Sequence, residues 1–323
     1  MFCAGWKAVL VVLLFAGSSV QAFPQQDTHQ PASILKVGLT TIEVTFSGAA
    51  PDLSREALLA YVKDAAGTVS GYYGQFPVDR AKVAIAVIPD RGGVLGGTTW
   101  GNRDGFPGVT RLRIGQHVSE GALRKDWILT HELVHMALPS LPDDQHWLEE
   151  GIATYVEPIA RFQSGFLTEE QVWSGMVDGM PHGEPEKFDQ GLDITHTWGR
   201  TYWGGALFCL IADIRIREQT RNAFGLRDGL IAIIHAHGSI KDGWPIERVL
   251  QVADKGTGTT VLHDLYKSWR TTPVEVDLND QWGKLGIRNR GGAVVFDDAA
   301  PLAKIRTAIL DSHVVTQNSV PAR

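Results

Sequence analysis

Cysteine is nearly absent from this 323-residue chain, which contains only Cys3 and Cys209. The disulfide framework that stabilises many small secreted domains is therefore excluded. The fold must depend on core packing, or on a bound metal ion. Cys209 lies in an apolar stretch, residues 206–212, and we interpret it as a small buried side chain.

Basic residues are also scarce, since 30 Lys and Arg face 36 Asp and Glu, for a net charge of -6. No basic surface for nucleic acid is expected, so we predict no nucleic-acid partner. Long apolar runs are missing after residue 22, and no integral membrane segment is expected beyond that point. A hydrophobic content of 44% is typical of an ordinary globular protein.

The first 22 residues have the pattern of a secretory signal peptide. Lys7 precedes a short apolar run, residues 8–16, and Val20 and Ala22 place small residues at the cleavage positions. An uncleaved membrane anchor is the alternative. We therefore expect an exported protein, periplasmic or secreted. Residues 23–32 are polar and contain proline, which predicts a flexible arm.

Hydrophobic periodicity predicts strands and helices in the first half of the chain and mainly helices in the second, an α+β fold. Strands are predicted at residues 34–37, 41–46, 82–88, 110–114 and 293–296. Helices are predicted at residues 53–73, 120–138, 145–156, 202–217, 226–237, 245–253, 259–269 and 302–310. Pro158 is expected to end or kink the third helix. Residues 92–101 contain too much glycine for a regular element to be expected.

Residues 131–135, His-Glu-Leu-Val-His, form an H-E-x-x-H motif inside a predicted helix. His131 and His135 are one turn apart on the same helix face, so both imidazoles can reach one zinc ion. Glu132 follows the first histidine and can act as a general base on a zinc-bound water. The flanking residues are mostly apolar, which predicts enclosed imidazoles that need partners.

A catalytic zinc site needs a third protein ligand, and the next helix offers His146, Glu149 and Glu150. The metzincin pattern is excluded, because Leu138 and Leu141 occupy the positions where it requires glycine and histidine. Helix periodicity does not choose between the two glutamates, since they flank the apolar face of the helix on opposite sides.

Residues 147–155, Trp-Leu-Glu-Glu-Gly-Ile-Ala-Thr-Tyr, complete a known pairing of motifs. The H-E-x-x-H motif and this segment together resemble the H-E-x-x-H and W-L-x-E-G-x-A-x-Y pair of motifs in the gluzincin peptidases. The M1-like or peptidase-MA-like members are the most similar. The resemblance implies that Glu150 is the third ligand, and that one Zn²⁺ is bound per chain by His131, His135 and Glu150.

The same resemblance implies a zincin-like metallopeptidase domain over residues 33–290. Its upper lobe, about residues 33–138, is expected to hold a small mixed sheet with helices. Its lower lobe, about residues 139–290, is expected to be mainly α-helical. Residues 291–323 are then a peripheral C-terminal segment.

Residues 201–208 are similar to the P-Y-x-x-G-x-x-L segment of M1-type enzymes, whose tyrosine donates a hydrogen bond to the oxyanion. The similarity implies that Tyr202 is catalytic; a core tyrosine at a helix start is the alternative. No segment like G-A-M-E-N, which binds the substrate's free amino terminus in M1 aminopeptidases, precedes the motif. Residues 96–99 occupy roughly its place, which leaves endopeptidase and aminopeptidase activity both open.

These features predict a zinc peptidase of the gluzincin type that hydrolyses a peptide or protein substrate through a zinc-activated water. A catalytically silent zinc-containing binding or scaffold protein of the cell envelope is the main alternative. A metal-free module with an incidental motif is the third possibility. The sequence leaves the oligomeric state open.

Overall fold

The structure, a computed structural model, describes residues 31–290 and 293–311. The predicted signal peptide, residues 1–22, and most of the predicted arm, residues 23–32, lie outside the described residues. Within the described ranges, no helix has both the length and the apolar character that crossing a membrane requires.

A five-stranded mixed sheet with the strand order β1-β2-β3-β5-β4 forms the β part of the fold. Its strands are β1 (Ser33–Val37), β2 (Thr40–Gly48), β3 (Arg80–Ile88), β4 (Val94–Arg103) and β5 (Phe106–Gly115). The strands β2, β3 and β5 run parallel to one another, and the edge strands β1 and β4 are antiparallel to their neighbours. The prediction of mixed α and β structure with a small mixed sheet is confirmed.

The glycine-rich segment was expected to be irregular, and this expectation is wrong. It forms the edge strand β4, which pairs with β5 along its length and has an irregularity between Val94 and Gly96. At Gly97 an added Cβ would lie 2.5 Å from Cγ of Glu132. Glycine is therefore present so that the strand can lie close to the helix that carries Glu132, while the ladder to β5 keeps the backbone extended.

Eleven α-helices and a two-stranded ribbon make up most of the remaining regular structure of the described residues, besides short 3₁₀ and π-helical turns. The helices are α1 (Arg55–Tyr73), α2 (Glu120–Lys125), α3 (Ile128–Val134), α4 (His146–Gln163), α5 (Glu169–Gly179), α6 (Gly205–Gln219), α7 (Leu226–His235), α8 (Ile246–Thr257), α9 (Val261–Trp269), α10 (Leu278–Leu285) and α11 (Ala303–Leu310). The ribbon is formed by β6 (Ile287–Arg290) and β7 (Ala293–Phe296). The sequence pattern did not predict α5, α10 or β6.

The helix predicted at residues 120–138 is divided in two by Asp126, whose backbone is extended. The Asp126 carboxylate accepts a hydrogen bond from the backbone N–H of Leu129 at 3.0 Å, as a capping residue does. It also accepts one from the hydroxyl of Tyr61 on α1, at 2.5 Å. Asp126 thus interrupts the predicted helix, although the apolar residues continue with helical spacing on both sides of it. Its side-chain cap determines where α3 begins. After Val134 the chain forms a 3₁₀ turn, His135–Ala137.

The helix that contains the third-ligand candidates is longer than predicted, because α4 continues through Pro158 to Gln163. Proline removes one backbone hydrogen bond and normally ends or bends a helix. Here Tyr155, Val156, Ile159 and Ala160 are all buried around it. Tertiary packing of both flanking turns offsets the local cost.

The short helix α3 packs against the strands β4 and β5 and against the helices α1 and α4. The helix α4 packs in turn against α6. The buried residues of sheet and helices form one hydrophobic cluster, which includes Cys209, as predicted. This arrangement places the H-E-x-x-H motif between the sheet and the helical part of the molecule.

Candidate metal centre

Three side chains from α3, the turn that follows it and α4 meet at one point. His131 on α3, His135 in the following 3₁₀ turn and Glu150 on α4 each present a ligand atom, and these atoms all lie within 4.8 Å of one another. His131 and Glu150 are buried, with 5% and 7% of their surface exposed. A buried carboxylate between two imidazoles is stable only with partners, and a metal ion is one such partner.

The distances from Glu150 to the two histidines suit a tetrahedral zinc ion. Zinc–ligand bonds of about 2.0–2.2 Å in tetrahedral geometry place neighbouring donor atoms about 3.3–3.6 Å apart. Oε2 of Glu150 lies 3.0 Å from Nε2 of His131 and 3.5 Å from Nε2 of His135. Two histidines and one carboxylate are also a donor set of catalytic zinc sites that keep a fourth position open. The residues therefore fit the metal that the motif implies.

The two adjacent glutamates, which the sequence pattern does not separate, have different surroundings. Oε1 of Glu149 accepts a hydrogen bond from the backbone N–H of Leu141 at 2.9 Å, and its Oε2 lies 2.7 Å from Nδ1 of His146. Glu149 is thus committed to the loop before α4, and only Glu150 reaches the two motif histidines. His146 also contacts Glu150, with its Nε2 3.1 Å from Oε1. It orients the carboxylate from outside the cluster of donor atoms.

The ionisation of the cluster follows from burial and from the shared carboxylate. Burial lowers the pKa of His131. Burial acts in the same sense on His135, but hydrogen bonding to Glu150 and the nearby carboxylates outweigh it and raise the pKa of His135. Although burial opposes its ionisation, hydrogen bonds from His131, His135 and His146 hold the pKa of Glu150 well below its usual range. The carboxyl group of Glu150 is therefore ionised at neutral pH, as a carboxylate that binds a metal must be.

Glu132, the predicted general base, is held by the edge strand β4. The hydroxyl of Thr99 lies 2.7 Å from Oε2 of Glu132 and 3.0 Å from its backbone carbonyl oxygen. Thr110 on β5 lies 2.9 Å from the same hydroxyl and completes a chain of three side chains. Gly97 leaves the room that this contact needs. No sequence pattern singles out Thr99, since a glycine-rich segment predicts an irregular loop.

Tyr202 lies next to the cluster, in a π-helical turn, Gly199–Gly204, that leads into α6. Its ring stacks on that of His131 with a centroid distance of 6.2 Å. Burial, the charges of Glu150 and Glu132, and a hydrogen bond to Glu150 raise its pKa well above the usual value. The phenol therefore stays protonated at neutral pH and is available as a donor.

Close contact between α4 and α6 brings Glu150 and Tyr202 together. An added Cβ at Gly151 would lie 2.3 Å from the backbone carbonyl carbon of Gly205. The two helix backbones thus touch one residue after Glu150 and three residues after Tyr202. The turn that carries Tyr202 is anchored by a buried ion pair, in which Nε of Arg200 lies 2.7 Å from Oδ2 of Asp189.

Comparison with known proteins shows similarity of fold only. No protein-family model matches the sequence, and no curated protein matches it either. The crystal structure of an aminopeptidase N family protein from Idiomarina loihiensis matches with a TM-score of 0.60 and 14% identity, covering 80% of this chain and 49% of that one. An M1 zinc metallopeptidase structure from Deinococcus radiodurans matches with a TM-score of 0.46 and 16% identity, covering 76% and 53%.

The chain shares its fold with the first of these structures, which agrees with the resemblance found in the motifs. It spans about half the length of the solved structures that it matches. The similarity therefore describes the common fold, and activity has to be argued from the residues of this chain.

Proposed function

We propose that this chain is a zinc-dependent peptidase of the gluzincin type. The observation that carries the proposal is the convergence of five side chains from four elements of the fold. His131, His135 and Glu150 offer three metal ligands, and Glu132 and Tyr202 lie beside them. One fold can serve proteins with many different functions, so the proposal of peptide hydrolysis depends on this set of residues and not on the fold.

His131, His135 and Glu150 would hold the metal, with His146 fixing the orientation of Glu150. Zinc, when bound, supplies a Lewis acid and makes water a nucleophile at neutral pH. Thr99 occupies Oε2 of Glu132, which leaves Oε1 as the atom that takes a proton from the attacking water. Glu132 then delivers that proton to the nitrogen of the departing amine. The hydroxyl of Tyr202 donates to the oxygen on which negative charge develops.

The deciding experiment is digestion of a synthetic peptide library by the purified chain, with the products identified by mass spectrometry. Glu132→Gln is the matched control, because it keeps the size and polarity of the side chain but removes the base. We expect the unmodified chain to cleave peptides, and Glu132→Gln to retain zinc and fold without cleaving. Full zinc occupancy with no cleavage by either protein would favour the catalytically silent binding or scaffold protein instead.

Metal content tests the ligands separately from turnover. His131→Ala or His135→Ala should abolish stoichiometric zinc, measured by elemental analysis, and should lower the melting temperature because metal binding is coupled to folding. If either variant kept one tightly held zinc per chain, the assignment of ligands would be wrong.

We also propose that the protein is exported, to the periplasm or the medium, on the basis of the pattern in residues 1–22. N-terminal sequencing of the protein from its native host tests this. Export with cleavage predicts a mature chain that begins at Phe23, whereas an intact amino terminus would contradict the cleavage.

A further inference from the structure

Two large aromatic side chains beside the metal centre are exposed to solvent. Trp127, at the start of α3, is 50% exposed, and Trp198, just before the π-helical turn, is 63% exposed. Most tryptophans of globular proteins are largely buried, so two open indole rings near one site require an explanation. The peptidase mechanism proposed above uses neither of them.

The two indoles belong to one row of aromatic rings. Trp127 meets His131 edge to face with a centroid distance of 5.5 Å, and His131 stacks on Tyr202. Tyr202 stacks on Trp198 with a centroid distance of 6.1 Å, and Trp198 meets His182 at 6.0 Å. A candidate metal ligand and the candidate oxyanion donor therefore occupy the middle of the row, with an exposed tryptophan on each side.

The backbone next to Trp198 is anchored by two close contacts. The ion pair between Arg200 and Asp189 is buried two residues beyond Trp198. Gly199 lies so close to the turn of residues 180–183 that an added Cβ would be 2.3 Å from the carbonyl oxygen of His182. A fixed, exposed indole loses little conformational entropy on binding, which makes it a good contact surface.

We propose that this row is a substrate subsite that binds a large apolar side chain, with an aromatic one preferred, on a residue next to the scissile bond. The inference rests on the proposed peptidase function and adds the class of substrate to it. An apolar ring laid on an indole removes two hydrophobic faces from water and adds favourable ring contacts. A lysine side chain laid on either exposed indole would have to give up part of the hydration of its charge.

The experiment uses matched fluorogenic peptides that differ only at one residue beside the cleaved bond, which is Phe, Leu, Ala or Lys. With the unmodified chain we expect kcat/KM for the Phe peptide to exceed that for the Ala peptide at least about tenfold. In Trp198→Ala or Trp127→Ala this ratio should fall below about threefold, whereas Trp198→Phe should retain most of it. Leu39→Ala is the control, because Leu39 is a fully exposed apolar residue in the β1–β2 turn, at the far edge of the sheet.

A second measurement is independent of turnover. The same peptides are titrated by calorimetry into the zinc-loaded Glu132→Gln chain, with and without Trp198→Ala and Trp127→Ala. Tighter binding of the Phe peptide than of the Ala peptide, lost in both tryptophan variants, supports the subsite. If no peptide is cleaved but this binding preference is present, the proposed function fails and the subsite stands.

Three results would overturn the inference. The first is that kcat/KM and affinity for the Phe peptide, relative to those for the Ala peptide, are the same in both tryptophan variants as in the unmodified chain. The second is a preference for the Lys peptide over the Phe peptide. The third is the absence of measurable binding of any peptide to the zinc-loaded Glu132→Gln chain. Melting temperatures of all variants separate these results from loss of fold.

Discussion

At the scale of single residues, the adjacent pair Glu149 and Glu150 provides the sharpest test of the metal site. Only Glu150 contacts both motif histidines, whereas Glu149 binds the backbone of Leu141. We expect Glu150→Gln to lower zinc affinity by roughly tenfold or more, and Glu149→Gln to leave zinc occupancy nearly intact. Competition with a chromogenic chelator measures both. The reverse result would move the ligand by one position in the sequence.

Thr99 is a positioning residue whose hydrogen bond to Glu132 sets the direction of that carboxylate. Thr99→Val keeps the shape of the side chain and removes the hydroxyl, so Glu132 is no longer fixed over the reacting atoms. We expect kcat to fall roughly tenfold or more with little change in KM, since positioning acts on the chemical step. Steady-state kinetics at saturating zinc are the measurement. Thr99→Ser should restore most of kcat, and a Ser variant no better than Val would mean that the hydroxyl has no role.

Tyr202 permits a test that distinguishes catalysis from packing. If its hydroxyl donates to the developing oxyanion, Tyr202→Phe should lower kcat by roughly a hundredfold, with zinc content and KM little changed. If Tyr202 has only a packing role, the Phe variant should lose about 1 kcal/mol of folding stability and keep the kcat of the unmodified chain. Kinetics and thermal melting on the same preparation separate the two outcomes.

At the scale of secondary-structure elements, the close contact between α4 and α6 holds Glu150 near the turn that carries Tyr202. Gly151→Ala would force the two backbones apart, because the new Cβ would meet Gly205. We expect the free energy of unfolding to fall by about 1–3 kcal/mol, as in other overpacked interiors, and zinc affinity to fall with it. Urea titration and chelator competition measure the two effects.

Gly175→Ala on α5 is the matched control for that prediction, since an added Cβ there has no neighbour within 4 Å. Alanine is the better helix former, so this variant should be as stable as the unmodified chain or more so by up to about 1 kcal/mol. If the free energy of unfolding fell equally in Gly151→Ala and Gly175→Ala, the close contact between α4 and α6 would not be the cause of the lower stability.

At the scale of the whole molecule, the stability of the fold should depend on pH through Glu157, on the buried side of α4. Burial raises the pKa of Glu157 from 4.5 to about 7, although the neighbouring Arg161 favours the ionised form. Below pH 4.5 the carboxyl is protonated in both folded and unfolded chains. As pH rises towards 7, the unfolded chain releases this proton first, so this contribution to stability is lost across that window.

Glu157→Gln should therefore flatten the dependence of the free energy of unfolding on pH between about 4.5 and 7. Urea denaturation at several pH values in the presence of a chelator measures the slope without interference from zinc binding. The exposed Glu170→Gln on α5 is the control and should leave the slope as it is. An unchanged slope in Glu157→Gln would contradict the assignment.

The sequence by itself determined those features that depend on local repetition. Helical spacing alone places His131 and His135 on one face, because residues four positions apart are separated by about one helical turn. It also places Trp147, Leu148, Ile152 and Tyr155 on the buried face of α4, since an apolar stripe must turn towards the core. The mixed sheet followed by helices was predictable for the same reason.

Only the tertiary structure decided which side chains meet across different elements. Helix periodicity leaves Glu149 and Glu150 equivalent, and it is the packing of α3 against α4 that brings Glu150 to the two motif histidines. The bond from Thr99 to Glu132 requires the pairing of β4 with β5, for which a glycine-rich segment has no local signal. The row from Trp127 to Trp198 joins residues 71 positions apart in sequence. Such contacts arise from long-range packing, and a pattern read along one chain contains no measure of distance between its elements.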